Sequence, residues 1–167
     1  LVQGVDAIGP YPADRQERLG VSTPYAGGFL DDVSTFDAAF FDISAMEARF
    51  LDPQQRLLLE TSWQALEDAA IVPASLKGTQ GAIFVGASTS DYALLCRSNR
   101  AAVNPFTATG NQTGLASGRL AYFYDIHGPA MGIDCACSSS LVAVHQACVS
   151  LRSGESDLAL VAGVNVI

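Results

Sequence analysis

Three short apolar runs constrain the fold of this chain most strongly. Residues 81–86 are apolar between two glycines, and residues 131–134 and 158–162 have the same character. Uninterrupted runs of this length are typical of strands buried on both faces of a parallel sheet. Between the last two, residues 139–151 have helical spacing with apolar side chains almost all round, and Gly154 is a C-terminal stop. This order predicts a parallel or mixed sheet with helices on both faces.

A second helix is predicted from its start signals. Asp52 can cap the helix, Pro53 suits the first helical position, and Gln55 stands where a capping-box partner would. One apolar stripe follows at steps of four, three and four, formed by Leu59, Trp63, Leu66 and Ala70. Pro73 is expected to end this helix.

Length and composition indicate a globular domain of the α/β class. The chain has 167 residues, of which 49% are hydrophobic and 16% charged, so it is expected to bury a sizeable core. Residues 1–35 are rich in glycine and proline and are expected to be irregular, whereas residues 36–167 form the α/β core. The sequence starts at Leu1 and stops within apolar sequence, so we expect it to be part of a longer protein.

Charge and cysteine content limit the classes of binding partner and the cellular compartment that we expect for this chain. The net charge of −8 opposes nucleic acid and anionic membrane surfaces. The longest apolar stretch, residues 158–167, is far shorter than the roughly 20 residues of a membrane-spanning helix. Residues 1–10 show no basic segment followed by an apolar run, so no secretory signal is predicted. The four cysteines are therefore expected to be free thiols in a reducing cytoplasm.

The strongest candidate for chemistry is the segment Asp134-Cys-Ala-Cys-Ser-Ser-Ser140, where an apolar strand turns into a helix. A cysteine at a helix N-terminus faces unpaired backbone N–H groups and the positive end of the helix dipole, which favour the thiolate. Cys137 is therefore the predicted nucleophile, and its own N–H is a candidate oxyanion donor. The alternative is a buried cysteine that acts only as a small hydrophobic residue.

Other candidate sites are weaker. Cys135 and Cys137 supply two metal ligands at most, with no second pair at zinc-site spacing, so no metal is predicted. His145 lies eight residues beyond Cys137, about 12 Å along a helix, and is expected to be a structural histidine with its hydrogen bonds satisfied. His127 precedes Gly128-Pro129 in a turn, which favours a surface role. No glycine-rich phosphate-binding pattern is present in the sequence, and no bound cofactor is predicted.

Several motifs, taken in order, resemble one family. Residues 134–143 are similar to the nucleophile motif of β-ketoacyl synthase domains of type I polyketide synthases. Six further segments resemble motifs of the same domains and follow in the family's order: residues 36–44, 51–60, 63–70, 118–122, 127–129 and 151–160. The resemblance covers essentially the whole chain.

The resemblance implies a thiolase-like fold, of which this chain supplies mainly the N-terminal half. That half is expected to contain a five-stranded mixed sheet with helices on both faces. Cys137 matches the family's nucleophile, which accepts an acyl group from the phosphopantetheine arm of an acyl carrier protein. The acyl group is then condensed with a malonyl-type extender, with loss of carbon dioxide, in polyketide or fatty-acid biosynthesis. No cofactor is bound directly.

Two histidines and a lysine that the family carries farther along have no counterpart in this sequence. The chain by itself is therefore expected not to condense substrates. Two other classes stay open: a non-catalytic packing or dimerisation fragment, and a different cysteine acyl-enzyme of the same superfamily that recruits a histidine from elsewhere. Cys135 departs from the family, which usually has threonine at this position.

The resemblance also implies a homodimer. The strand at residues 130–133 is expected near the two-fold axis, and residues 104–124 are expected to flank the interface. Within them, residues 104–112 are a candidate segment for reaching a partner's acyl pocket, because they combine Phe106 with hydroxyl side chains and Gly110, which is expected to be flexible. An ordinary surface loop is the alternative.

Overall fold

The structure is a computed structural model that describes residues 3–19, 25–98 and 104–167. Leu1 and Val2, which begin the N-terminal segment without a predicted secretory signal, lie outside the described residues. The chain divides into two compact units, Leu1–Thr35 and Phe36–Ile167. In the first unit, β1 (Gly9–Pro10) pairs antiparallel with β2 (Ala26–Gly27). Helix α1 (Ala13–Leu19) lies between them, so this segment is more regular than its composition predicted.

The second unit contains the predicted helices and strands. Its elements, in chain order, are α2 (Ala45–Phe50), α3 (Pro53–Asp68), a short 3₁₀ helix (Pro73–Leu76), β3 (Ala82–Gly86), α4 (Asp91–Ser98), α5 (Pro105–Thr109), α6 (Gly114–Tyr124), β4 (Ala130–Ile133), α7 (Ser139–Ser153) and β5 (Ala159–Gly163). The three strands and the helix between the last two are confirmed. None of the helices in the described ranges is both long enough and apolar enough to cross a bilayer.

Strand β3 is the centre of a parallel sheet with the order β4-β3-β5. In the described parts of the chain this sheet has three strands, all parallel, where the resemblance implied five in a mixed sheet. All five residues of β3 are buried. Burial on both faces is therefore confirmed for β3, but it is wrong for the two edge strands. The first three residues of β4 are exposed, and none of the five residues of β5 is fully buried.

The two faces of β3 pack against different helices. Ile83 and Val85 join a cluster with Leu58, Leu59 and Leu66 of α3 and Leu120 and Tyr124 of α6. The alternate residues, Ala82 and Phe84, pack against Ala143 and Ala147 of α7. Successive side chains of a strand point to opposite faces, so the clusters lie on opposite sides of the sheet. The predicted helices on both faces are confirmed.

Helix α3 begins as predicted but uses its polar residues differently. Asp52 caps the helix by accepting a hydrogen bond from the Gln54 N–H at 2.8 Å, and Pro53 occupies the first turn. Gln55 is not a capping-box partner. Its side chain is buried, donates to the Gly110 carbonyl at 3.0 Å and accepts from Arg119 at 2.8 Å. Gln55 therefore links the start of α3 to Gly110 and to α6 instead of capping its own helix.

The C-terminal end of α3 comes earlier than predicted. The helix stops at Asp68, and Ala70 then adopts a left-handed φ of 54°, so Ala70 lies outside the helix. Leu59 and Leu66 of the predicted stripe are buried. The left-handed residue ends the helix before Pro73 can, and it is an alanine, a residue that gives no sequence signal for this conformation.

Helix α7 is buried on one side only. Ala143 and Ala147 face the sheet, whereas Leu141 is 74% exposed and Val144 is 46% exposed. The apolar residues almost all round the helix predicted burial on every side. In the described structure that expectation is wrong for the side that faces away from the sheet.

Two glycines let the first turn of α7 approach the sheet. A Cβ on Gly86, the last residue of β3, would lie 2.6 Å from the backbone nitrogen of Ser140. A Cβ on Gly163, the last residue of β5, would lie 2.7 Å from the Ser140 Cβ. Both separations are shorter than real Cβ contacts allow, so glycine at these ends fixes how closely α7 packs.

The Gly86 contact generates the first prediction. We expect Gly86→Ala to lower the free energy of unfolding by about 1–3 kcal/mol, because the new methyl group meets backbone that cannot move without displacing α7. Urea unfolding followed by circular dichroism measures the change.

Gly118→Ala is the matched control. Gly118 lies within α6, and a Cβ there meets nothing within 4 Å, so alanine is expected to stabilise the helix by up to about 1 kcal/mol. An unfolding midpoint for Gly86→Ala equal to that of the parent chain would contradict the close-approach interpretation.

Candidate active site

A tight turn joins β4 to α7 and carries Cys137. The Ser138 N–H donates to the Cys135 carbonyl at 3.3 Å, and Ala136 between the cysteines has a left-handed φ of 53°. The Asp134 carboxylate accepts from the Ala136 N–H at 3.1 Å. Cys137 is exposed and lies two residues before the first residue of α7. The predicted strand–cysteine–helix placement is therefore present, and the nucleophilic role stays a prediction.

Buried Ser139 ties this turn together. Its hydroxyl accepts from the Cys135 N–H at 2.9 Å and donates to the Ala136 carbonyl at 2.7 Å. It also lies 3.1 Å from the hydroxyl of Ser88, which follows β3. The backbone on the N-terminal side of Cys137 is thus fastened to both α7 and the end of β3. Sequence reasoning missed this link, because Ser88 and Ser139 are 51 residues apart.

The carboxylate of Asp134 carries a fixed negative charge at the start of the turn. Its hydrogen bond from the Ala136 backbone N–H, together with a smaller contribution from the Ser88 side chain, lowers the pKa of this carboxyl below its ordinary value. The ionised side chain is the better acceptor for an N–H donor. Asp134 therefore helps to hold the turn rather than to supply a proton.

A cavity of about 550 Å³ opens beside Cys137. Its walls come from the carboxyl ends of β3 and β5 and from the first turn of α7. Thr89 and Asn165 also line the cavity, and the Thr89 hydroxyl donates a 3.0 Å hydrogen bond to the Asn165 side chain. Its volume lies within the range of small-molecule sites. Ligands in parallel α/β sheets commonly bind outside the carboxyl ends of strands, which is where Cys137 lies.

Comparisons with known proteins agree with this geometry. The family profile described as "Beta-ketoacyl synthase, N-terminal domain" matches residues 1–167. The chain belongs to the β-ketoacyl synthase family. It is 47% identical to the spectinabilin polyketide synthase system protein NorC of Streptomyces orinoci, over 100% of this chain and 8% of that protein. It is 46% identical to the pikromycin polyketide synthase component PikAII of Streptomyces venezuelae, over 98% of this chain and 5% of that protein.

Solved ketosynthases share the fold of this β-ketoacyl synthase chain. The ketosynthase from module 6 of the bacillaene synthase of Bacillus subtilis 168 superposes with a TM-score of 0.86 at 34% identity, covering 100% of this chain and 28% of that one. The oxazolomycin ketosynthase domain OzmH KS7 of Streptomyces albus JA3453 gives 0.85 at 36% identity, with 99% and 31% covered. These matches confirm the thiolase-like fold, of which the chain is the N-terminal part.

Neither histidine of the ketosynthase chain is arranged to serve Cys137. The His127 side chain is 57% exposed, and its Nε2 lies 3.0 Å from the Asp125 carboxylate, so its predicted surface role is confirmed. His145 is exposed on α7 rather than enclosed as a structural histidine, so that prediction is wrong. The cause is the same one-sided burial of α7 that leaves Leu141 exposed.

The four cysteines are free thiols, as predicted, but they differ in exposure. Cys135 and Cys137 are exposed, whereas Cys96 and Cys148 are half-buried. Burial raises the pKa of the Cys96 thiol above its ordinary value, which reduces its thiolate fraction. In the described ranges, no three His, Cys, Asp or Glu side chains are grouped as metal ligands would be. Of the four thiols, those of Cys135 and Cys137 are the most accessible to solvent.

The segment expected to reach a partner's pocket is helical rather than a loop. Asn104 caps α5 by accepting from the N–H groups of Phe106 at 2.9 Å and Thr107 at 3.3 Å, and the Thr107 hydroxyl accepts from the Asn104 N–H at 3.1 Å. Gly110 is buried, and a Cβ there would collide with the Phe50 carbonyl. Gly110 therefore serves close packing, and its expected flexibility is wrong.

The Ser139 contacts generate the second prediction. We expect Ser139→Ala to slow alkylation of Cys137 by iodoacetamide roughly tenfold at fixed pH, because the turn loses its link to α7 and β3 and the thiol loses its fixed position at the helix N-terminus, where cysteines are more reactive. Peptide mass spectrometry measures the rate at each cysteine separately, with Cys148 as the internal reference.

Ser153→Ala provides the control from the same helix. The Ser153 hydroxyl donates to the Ser150 carbonyl at 2.9 Å near the far end of α7, so its loss leaves the turn intact. Equal rates at Cys137 in both variants would show that Ser139 does not position the thiol.

Proposed function

We propose that this chain supplies the acyl-accepting part of a β-ketoacyl synthase that acts in polyketide biosynthesis, with Cys137 as the covalent nucleophile. The exposed position of Cys137 in a fixed turn, beside a cavity at the strand ends, carries this proposal. The family membership supports it, since the relatives that match are polyketide synthases. Fatty-acid biosynthesis uses the same acyl transfer and condensation and is the alternative pathway for the parent protein.

The first step is transfer of an acyl group to Cys137. The Cys137 thiolate attacks the carbonyl carbon of an acyl thioester on the phosphopantetheine arm of an acyl carrier protein domain. A new C–S bond forms, and the bond to the carrier sulfur breaks, so the carrier leaves as a thiol. The backbone N–H of Cys137 stabilises the negative charge that develops on the carbonyl oxygen.

The second step is condensation with a malonyl-type extender thioester. Loss of carbon dioxide generates a carbanion that attacks the Cys137 thioester, forms a carbon–carbon bond and releases the thiolate. Donors that stabilise charge on the extender's carbonyl are required for decarboxylation. His127 and His145 are not placed to be these donors, so the 167-residue chain by itself is expected to accept an acyl group without condensing it.

The third prediction tests the nucleophile. Incubating the purified protein with a short acyl-pantetheine thioester should add one acyl group at Cys137, because Cys137 is an exposed thiol beside a helix N-terminus and borders the cavity. Intact-protein and peptide mass spectrometry locate the adduct.

Cys137→Ala is expected to abolish the adduct, whereas Cys148→Ala, which removes a half-buried thiol of α7, is expected to retain it. Acylation that survives Cys137→Ala would overturn the assignment, and absence of any acylation in the parent chain would favour a packing fragment.

We also propose that the parent protein is a homodimer in the cytoplasm, associated through β4. Strand β4 is an exposed edge, and Met131 within it is 48% exposed. Helix α6 begins directly against this strand, since a Cβ on Gly132 would lie 2.7 Å from the Gly114 Cα. An edge strand with apolar side chains and a rigid flank is suited to pairing with a second copy.

The fourth prediction tests this assembly. We expect Met131→Asp to weaken dimerisation roughly 30-fold or more, because a carboxylate would be desolvated at the interface. Light scattering over a concentration series measures the change in mass.

Met46→Asp is the matched control, since Met46 is 63% exposed on α2 and lies outside the proposed interface. A parent protein that stays monomeric at every concentration, or an equal effect of the two substitutions, would exclude β4 as the interface.

A further inference from the structure

The turn before α7 carries two exposed thiols separated by one residue. Cys135 and Cys137 are both exposed, and Ala136 between them holds the left-handed conformation that reverses the chain. Cys137 borders the cavity, whereas Cys135 does not. The acyl-transfer chemistry uses a single thiol, so it leaves Cys135 without a role.

We propose that Cys135 and Cys137 form a reversible disulfide when the protein meets hydrogen peroxide, and that this bond protects Cys137 from irreversible oxidation. A two-residue step spans at most about 7 Å in a fully extended chain. The turn, closed by the hydrogen bond from Ser138 to Cys135, shortens that span toward the 4.4–6.8 Å that separates disulfide-bonded Cα atoms. The two thiols are therefore close enough to join with only local rearrangement.

The turn can keep its hydrogen bonds while the sulfur atoms react. Those bonds use backbone groups and the side-chain oxygens of Asp134, Ser138 and Ser139. The Cys135 N–H and carbonyl are both engaged, so the backbone at this residue is held in place. Formation of the disulfide therefore requires the two cysteine side chains to move more than the backbone of the turn.

The chemistry balances with peroxide as the oxidant. The Cys137 thiolate attacks one oxygen of hydrogen peroxide, the O–O bond breaks, and a sulfenic acid and water form after protonation. The Cys135 sulfur then attacks the Cys137 sulfur, the S–O bond breaks, and a second water leaves as the S–S bond forms. Two thiols lose two electrons and two protons, and peroxide is reduced to two water molecules. A thiol reductant reverses the change.

The other cysteines are poorly placed to compete. Cys148 lies nine residues beyond the first residue of α7, about 13 Å along the helix axis, so it cannot reach the sulfur of Cys137. Cys96 lies on α4 and is half-buried, and burial raises its pKa and lowers its reactivity. The expected disulfide is therefore local to the turn.

Peroxide titration followed by mass spectrometry tests the proposal on the purified protein. The parent chain is expected to lose about 2 Da, to regain that mass with dithiothreitol, and to yield one peptide that contains both linked cysteines. Cys135→Thr removes the partner thiol. Its Cys137 should gain about 16 or 32 Da instead, with irreversible sulfinic acid accumulating about tenfold faster than in the parent.

Cys148→Ala is the control that keeps the pair and should behave as the parent does. Equal rates of sulfinic acid formation in the parent and in Cys135→Thr would overturn the proposal, as would a disulfide that joins Cys137 to Cys96 or Cys148. The readout is the covalent state of sulfur and needs no acyl substrate, so its failure is distinct from failure of the proposed function.

Discussion

The close approach of α7 to the carboxyl ends of β3 and β5 is the constraint on which the site depends. Gly86 and Gly163 leave no side chain between these strand ends and Ser140. The first turn of α7 therefore packs directly against the sheet, and the turn that carries Cys137 is held beside the carboxyl ends of the strands. The Ser139–Ser88 contact then fastens the turn to β3. A larger residue at either glycine would displace the thiol together with the helix.

A partly buried network of polar side chains fixes the helices on the α3 and α6 side of the sheet. Arg119 of α6 donates to Glu47 of α2 at 2.7 Å and to Gln55 of α3 at 2.8 Å. Asp52 accepts from Ser90 at 2.5 Å as well as capping α3. The Arg119–Glu47 ion pair is half-buried, so its net contribution to stability is small, but removing one partner leaves a partly desolvated, unpaired charge. The network therefore specifies how α2, α3 and α6 pack more than it adds to stability.

The apolar patterns in the sequence predicted where strands and helices form, but not which of their faces are exposed. The continuous apolar run predicted β3 correctly, because β3 is the central strand and is covered on both faces. The same reasoning failed for β4 and β5, since an edge position is decided by strand order. It failed again for the outward side of α7, where Leu141 is exposed although its helix is apolar almost all round.

The sequence by itself determined the strand–cysteine–helix order, the cap at Asp52 and the family, because each depends on residues adjacent along the chain or on motifs in a fixed order. The tertiary structure alone decided which polar side chains support the site. Ser88 and Ser139 are 51 residues apart, and Gln55 and Arg119 are 64 residues apart. Such pairs leave no local pattern, since hydrogen bonds between distant segments depend on how helices and strands pack. The position of Cys137 was therefore readable from sequence, whereas the contacts that hold it were not.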